Sequence, residues 1–195
     1  MIKGIIFDLD GTLIKLPVRY ELLLNNLRKF FDTTDEFKPL IPSIVKKSQG
    51  DRIKLKNAFN LICDEELVAA NNFELIDNAI QILNYFKSKN YTIGLVTMQC
   101  RKAVEKILSS IKISEIFSSI ITRDEHYDRF EQIKKMFEAL NLSPKEVLMI
   151  GDRIHDVESA HKAGCKAVLV HEHKSHSNPE TLILKKISEL KNLEF

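Results

Sequence analysis

Lys3-Gly4-Ile5-Ile6-Phe7-Asp8-Leu9-Asp10-Gly11-Thr12-Leu13 is the stretch from which the rest of the chain is read. Ile5, Ile6 and Phe7 form a short apolar run of the kind that fills a buried parallel strand. The run stops at two carboxylates separated by one residue, followed by Gly11 and Thr12. In an open α/β sheet, ligands bind outside the carboxyl ends of the strands, so Asp8 and Asp10 belong at the mouth of a site. Two anions that close repel unless a positive charge lies beside them. A hard divalent cation such as Mg²⁺ suits carboxylate and carbonyl oxygens.

Working outward, the text alternates after residue 73. Residues 91–97, 116–122, 147–150 and 167–170 read as strands; 73–90, 101–110, 131–140, 156–163 and 181–190 read as helices. Such alternation predicts an α/β fold, a Rossmann-like parallel sheet flanked by helices with right-handed crossovers. Between the first strand and the rest, residues 18–72 show no strand pattern. Tyr20, Leu22, Leu23, Leu24, Leu27, Phe30 and Phe31 recur at helical spacing, and Pro39 and Pro42 interrupt them. Further helices are expected over 43–48, 53–62 and 64–71, the last capped by Asp64. The expected division is a core of 1–14 and 81–195 with a small all-helical cap, 15–80, inserted in it.

A length of 195 residues accommodates one α/β domain with an insert, and 44% hydrophobic residues supply a core. Lys+Arg 29 against Asp+Glu 27 gives net +2, with the lysines scattered, so no nucleic-acid partner is expected. No apolar run approaches the length of a membrane span. Three cysteines, at 63, 100 and 165, are odd in number and lack C-x-x-C spacing. That pattern favours reduced thiols over a disulfide framework, and no leader pattern precedes the first strand, so a cytoplasmic protein is expected.

Asp8-Leu9-Asp10-Gly11-Thr12 resembles the first motif of the haloacid dehalogenase superfamily, whose phosphatases include the phosphoglycolate-phosphatase-like group with a helical cap after that motif. Thr97, ending Leu95-Val96-Thr97-Met98, resembles the second motif, where a hydroxyl and backbone N–H groups hold phosphate oxygens. The family often has Asn or Gly where this chain has Met98. Gly151-Asp152-Arg153-Ile154-His155-Asp156 resembles the fourth motif, G-D-x-x-x-D after an apolar strand. The third motif departs from the family. A Lys is the rule before the helix leading to the fourth strand, yet no Lys occurs between Lys112 and Lys134. Arg129 is the nearest substitute, Arg123 the second, and Lys134 reads as a solvated helix residue.

The resemblance implies a phosphatase acting on a small phosphorylated metabolite with Mg²⁺ as cofactor. Asp8 would be the nucleophile, Asp10 the general acid and base, and Arg129 the cation. Gly11, Thr97 and Met98 would hold phosphate; Asp8, Asp10, Asp152 and Asp156 would hold the metal. Rival readings are a phosphomutase and a non-catalytic binding protein on the same scaffold. A dehalogenase is disfavoured by Asp10. His171, His173 and His176 read as a surface loop, since zinc needs a closed ligand set and no Cys pair joins them.

Overall fold

The computed structural model describes residues 1–171 and 181–193. In chain order the elements are β1 (Gly4–Phe7), β2 (Ile14–Lys15), α1 (Tyr20–Phe31), α2 (Leu40–Ser48), α3 (Arg52–Ala69), β3 (Glu74–Leu75), α4 (Ala79–Ser88), β4 (Thr92–Val96), α5 (Arg101–Ser110), β5 (Ser119–Ile121), α6 (Arg129–Leu140), β6 (Val147–Gly151), α7 (Ile154–Ala163), β7 (Lys166–Val170) and β8 (Leu182–Leu184). The main sheet is ordered β5-β4-β1-β6-β7-β8 and every pairing is parallel. β1 is central because all four of its residues are buried, and its alternate side chains feed the two faces. Ile5 and Phe7 join the layer that includes α4 and α5; Ile6 joins the layer of α6 and α7. The chain leaves β1 toward β4 and β5, then returns to β6 on the other side. That reversal opens a crevice at the carboxyl ends of β1 and β6.

The helices α1, α2 and α3 close on a separate apolar cluster of Leu23, Leu27, Phe37, Ile44, Ala58 and Ile62. The chain enters and leaves this helical block side by side, through the antiparallel pair β2–β3, with Ile14 opposite Leu75 and Lys15 opposite Glu74. A two-stranded pair this short carries too few residues for a period-two pattern to be read.

Four expectations from the sequence differ from the structure. α3 is one continuous helix, not two: Asp51 caps it, its side chain accepting from the Ile53 and Lys54 amides at 2.8 and 3.0 Å, and Asp64 lies within it. The helix expected over 73–90 starts only at Ala79, because Glu74–Leu75 is drawn into β3. The terminal segment is not a helix: Leu182–Leu184 pairs with β7 and a 3-10 turn follows over Ile187–Asn192. Cys63 of α3 and Cys100, which precedes α5, are not reduced but joined in a disulfide, with Cα atoms 5.5 Å apart. The third thiol, Cys165, is free and buried, and burial pushes its pKa up to about 12. No helix among the described residues is long and apolar enough to cross a membrane.

Candidate active site

The crevice is lined by carboxylates brought there by strand ends. Asp8 extends β1 by one hydrogen bond, its amide donating to the Ile150 carbonyl of β6 at 2.9 Å. Asp152 directly follows β6, and Asp156 lies in the first turn of α7. Carboxylate oxygens of Asp8, Asp152 and Asp156 all lie within 4.8 Å of one another. Two glycines permit this crowding. Gly11, at φ +93°, has no Cβ, and one placed there would sit 2.3 Å from Asp152 Oδ2. A Cβ on Gly151 would sit 2.5 Å from Asp156 Oδ2. The Gly11 amide donates to the Ile14 carbonyl at 2.7 Å, so this glycine serves the site through the space it leaves.

One buried guanidinium offsets part of the charge at the cluster. Arg129 opens α6, behind the Asp128 cap, and is only 4% exposed. Its Nη2 lies 2.5 Å from Asp8 Oδ1, and its Nε lies 3.0 Å from Asp156 Oδ1. The first contact is a hydrogen bond. The second is an ion pair by distance, with the N–H misaligned. Asp156 also accepts from the Arg153 amide at 3.2 Å. With both oxygens engaged, Asp156 fixes Arg129 and the start of α7. Burial pushes the Asp8 carboxyl up to about 8, Arg129 pulling it down and Asp156 and Asp152 pushing it further up. Burial and Asp156 raise Asp152 to about 6. Asp10 is raised by burial, held back by the Leu16 amide that donates to its Oδ1 at 2.9 Å and by Arg153.

These residues fit a hard cation. Asp152 Oδ1 is buried with no hydrogen-bond partner among the described residues, and burial together with neighbouring carboxylates raises both Asp8 and Asp152, a setting that a cation would relieve. Oxygen donors alone suit Mg²⁺ rather than a thiophilic ion.

The segment after β4 is held tightly. Thr97 is fully buried, and its hydroxyl is bonded to the Gln99 side chain. Gln132 of α6 donates through Nε2 to the Thr97 carbonyl at 2.8 Å and to the His126 carbonyl at 2.7 Å. Met98 and Gln99 line the crevice; Thr97 lies behind them. Arg123 pairs with Glu66 rather than with Asp8. Its Nη1 and Nη2 donate to the two oxygens of Glu66 at 2.7 and 2.9 Å, and Nη1 also reaches the Met98 carbonyl. Glu66 Oε2 accepts from the Cys100 amide at 2.9 Å as well. Lys134 lies on α6 with its side chain half exposed, 3.5 Å from Glu131. His171 follows β7; His173 and His176 lie outside the described residues.

Above the carboxylates lies a cavity of about 620 Å³ between core and helical block. Sequence reasoning missed its upper wall, the Glu66–Arg123 pair and Arg153. Arg153 stands in the fourth-motif stretch at a position the motif leaves open, and the wall and the Glu66–Arg123 pair acquire meaning only from the way the helical block sits on the core.

Comparison with known proteins agrees with this architecture. The family model for haloacid dehalogenase-like hydrolases matches residues 5–170. The pyrophosphatase PpaX of Bacillus mycoides (strain KBAB4) is 31% identical over 184 residues, covering 87% of this chain and 83% of that protein. The PpaX of Bacillus cereus (strain Q1) is 32% identical over 187 residues with the same coverage. Among solved structures, a HAD phosphatase from Thermococcus onnurineus superposes with a TM-score of 0.70 at 19% identity, over 98% of this chain and 97% of the other. A HAD-superfamily hydrolase from Ehrlichia chaffeensis does so at 0.64 and 23%, over 98% and 96%.

Proposed function

We propose, from the premise that this chain belongs to the haloacid dehalogenase-like hydrolases, that it is a Mg²⁺-dependent phosphatase of small phosphate monoesters working through an aspartyl-phosphate. The observation that carries the reading is the position of Asp8, buried at the end of the central strand between Arg129 and Asp152, at the floor of the cavity. The pyrophosphatase name of the Bacillus relatives and the phosphatase name of the Thermococcus neighbour support hydrolysis at phosphorus.

In this reading the Asp8 carboxylate attacks phosphorus in line, and Arg129 orients it and offsets charge on the transferring group. Asp10, whose carboxyl is raised by burial, donates a proton to the leaving alkoxide oxygen. The resulting Asp10 carboxylate then takes a proton from water as that water attacks the aspartyl-phosphate, returning Asp8 and releasing phosphate. Met98, which lines the cavity, would hold a phosphate oxygen through its backbone N–H. Asp8, the Asp10 carbonyl and Asp152 would hold Mg²⁺, with Asp156 behind them. The ion supplies neutralisation of the phosphoryl charge. The helical block, 15–80 in this division, serves as the cap that shapes the substrate space.

Turnover of a generic aryl phosphate with and without Mg²⁺, in the wild type and Asp8→Asn, tests the reading. Mg²⁺-dependent turnover that disappears in a folded Asp8→Asn protein is expected. Persistence of wild-type rates in that variant rejects the nucleophile.

A further inference from the structure

The cavity above Asp8 has two chemically different ends. Its floor is ionic, formed by Asp8, Asp10, Arg129 and Asp156. Its upper wall comes from the helical block and is mostly aliphatic, with Val18, Leu23, Leu40, Ile41, Pro42 and Ile62 beside the phenol of Tyr20. The one charged lining residue from that block is Glu66, and both of its oxygens are taken by Arg123. On the core side Arg129 pairs with Asp8 and Asp156, and Arg123 pairs with Glu66; Arg153 is exposed and lies near Asp152, Tyr20, Asp8 and Asp10, at the ionic end. A second phosphate or a ring of hydroxyls placed against Leu40, Ile41 and Ile62 would lose water and gain no donor from those side chains, whereas a hydrocarbon body would gain burial.

Resting on the phosphatase reading above, we propose that the substrate is the phosphate monoester of an apolar alcohol, its aliphatic or aromatic body lying against Leu40, Ile41 and Ile62. About 620 Å³ accommodates such a body together with the phosphoryl group. Each buried methylene gains roughly 0.8 kcal/mol, equivalent to roughly a fourfold change in affinity.

Rates over the series ethyl, butyl, hexyl and octyl phosphate, with phenyl phosphate, glucose 6-phosphate and inorganic pyrophosphate, test the proposal when measured with Mg²⁺. The expected result is kcat/KM rising by roughly three- to fourfold per methylene until the cavity is full. Hexyl and phenyl phosphate should exceed glucose 6-phosphate and pyrophosphate by about tenfold or more. Ile41→Asn should depress hexyl phosphate about tenfold more than ethyl phosphate. A flat series, or pyrophosphate as the best substrate, overturns the proposal and leaves the phosphatase intact. Calorimetric binding of the matching non-hydrolysable n-alkylphosphonates separates the two readings. Affinity that climbs with chain length in a protein that turns over no ester supports the apolar site and rejects hydrolysis. Chain-independent binding rejects the apolar site whatever the turnover.

Discussion

Arg129 Nη2 sits 2.5 Å from Asp8 Oδ1, joining residues 121 positions apart at the centre of the candidate site. Both side chains are almost fully buried, and the same guanidinium reaches Asp156. Arg129→Ala should therefore act twice. Loss of a donor aimed at developing charge lowers kcat by roughly 10²–10³. Loss of the partner of two buried carboxylates lowers stability by about 3–5 kcal/mol. Arg129→Lys keeps the charge but not the fork, and should recover stability better than rate. Steady-state kinetics and urea unfolding of both variants provide the check; rates within a factor of a few of wild type for Arg129→Ala would remove this residue from the chemistry.

Stability should depend on pH through the same cluster. Asp8, raised from 3.8 to about 8, and Asp152, raised to about 6, hold protons when folded at pH values where the unfolded chain has released them. The folded state then binds more protons, so stability is fully present near pH 4 and falls as pH rises toward 8. Mg²⁺ replaces those protons and should raise the melting temperature most at the alkaline end. Melting scans from pH 5 to 8, with and without Mg²⁺, read this directly, and Asp152→Asn should flatten the metal-free slope. A melting temperature that climbs with pH without metal contradicts the assignment.

Arg123→Ala separates scaffold from chemistry. Arg123 and Glu66 are 1% and 5% exposed at their side chains, and burial raises Glu66 even against the pull of Arg123. Removing the arginine strands a carboxylate and costs about 3–5 kcal/mol. Its guanidinium pairs with Glu66 rather than with Asp8, so turnover per folded molecule should fall far less than in Arg129→Ala. Equal loss of rate in the two variants would place Arg123 in the reaction.

Reduction of the Cys63–Cys100 bond should loosen the chain. It links residues 37 positions apart. In the chain-entropy account a loop of that length contributes about 4 kcal/mol. Dithiothreitol, or the Cys63→Ser/Cys100→Ser double variant, should lower the urea midpoint accordingly. An unchanged midpoint on complete reduction would show that the closed loop adds nothing.

The legibility of the sequence followed the range of the forces involved. β1, β4, β6 and β7 were readable because their side chains are buried and their neighbours supply uninterrupted apolar runs. The fourth-motif text likewise carried Asp152 and Asp156 to one strand end. The segment at Leu182–Leu184 was misread because its helical spacing yields to an open edge of β7, which offers parallel hydrogen bonds. Asp64 suggested a helix start, yet the helix begun at Asp51 runs through it, since one acidic residue does not stop a helix already formed. The disulfide and the Glu66–Arg123 pair depend on α3 meeting the start of α5, and nothing local announces that contact. The parallel sheet rested on alternation visible along the chain; the cavity wall rests on one body laid against another.

The β2–β3 pair joins the helical block to the sheet along a single line, which leaves a rigid body one rotational degree of freedom, the swing of a door. The Cys63–Cys100 bond fastens the same block at a second place, between α3 and the start of α5. The Glu66–Arg123 pair ties α3 to the core beside it, and together these attachments restrain that rotation. A block restrained in this way would set the width of the entrance to the cavity and would make molecular girth, rather than the timing of an opening, the selector of what enters.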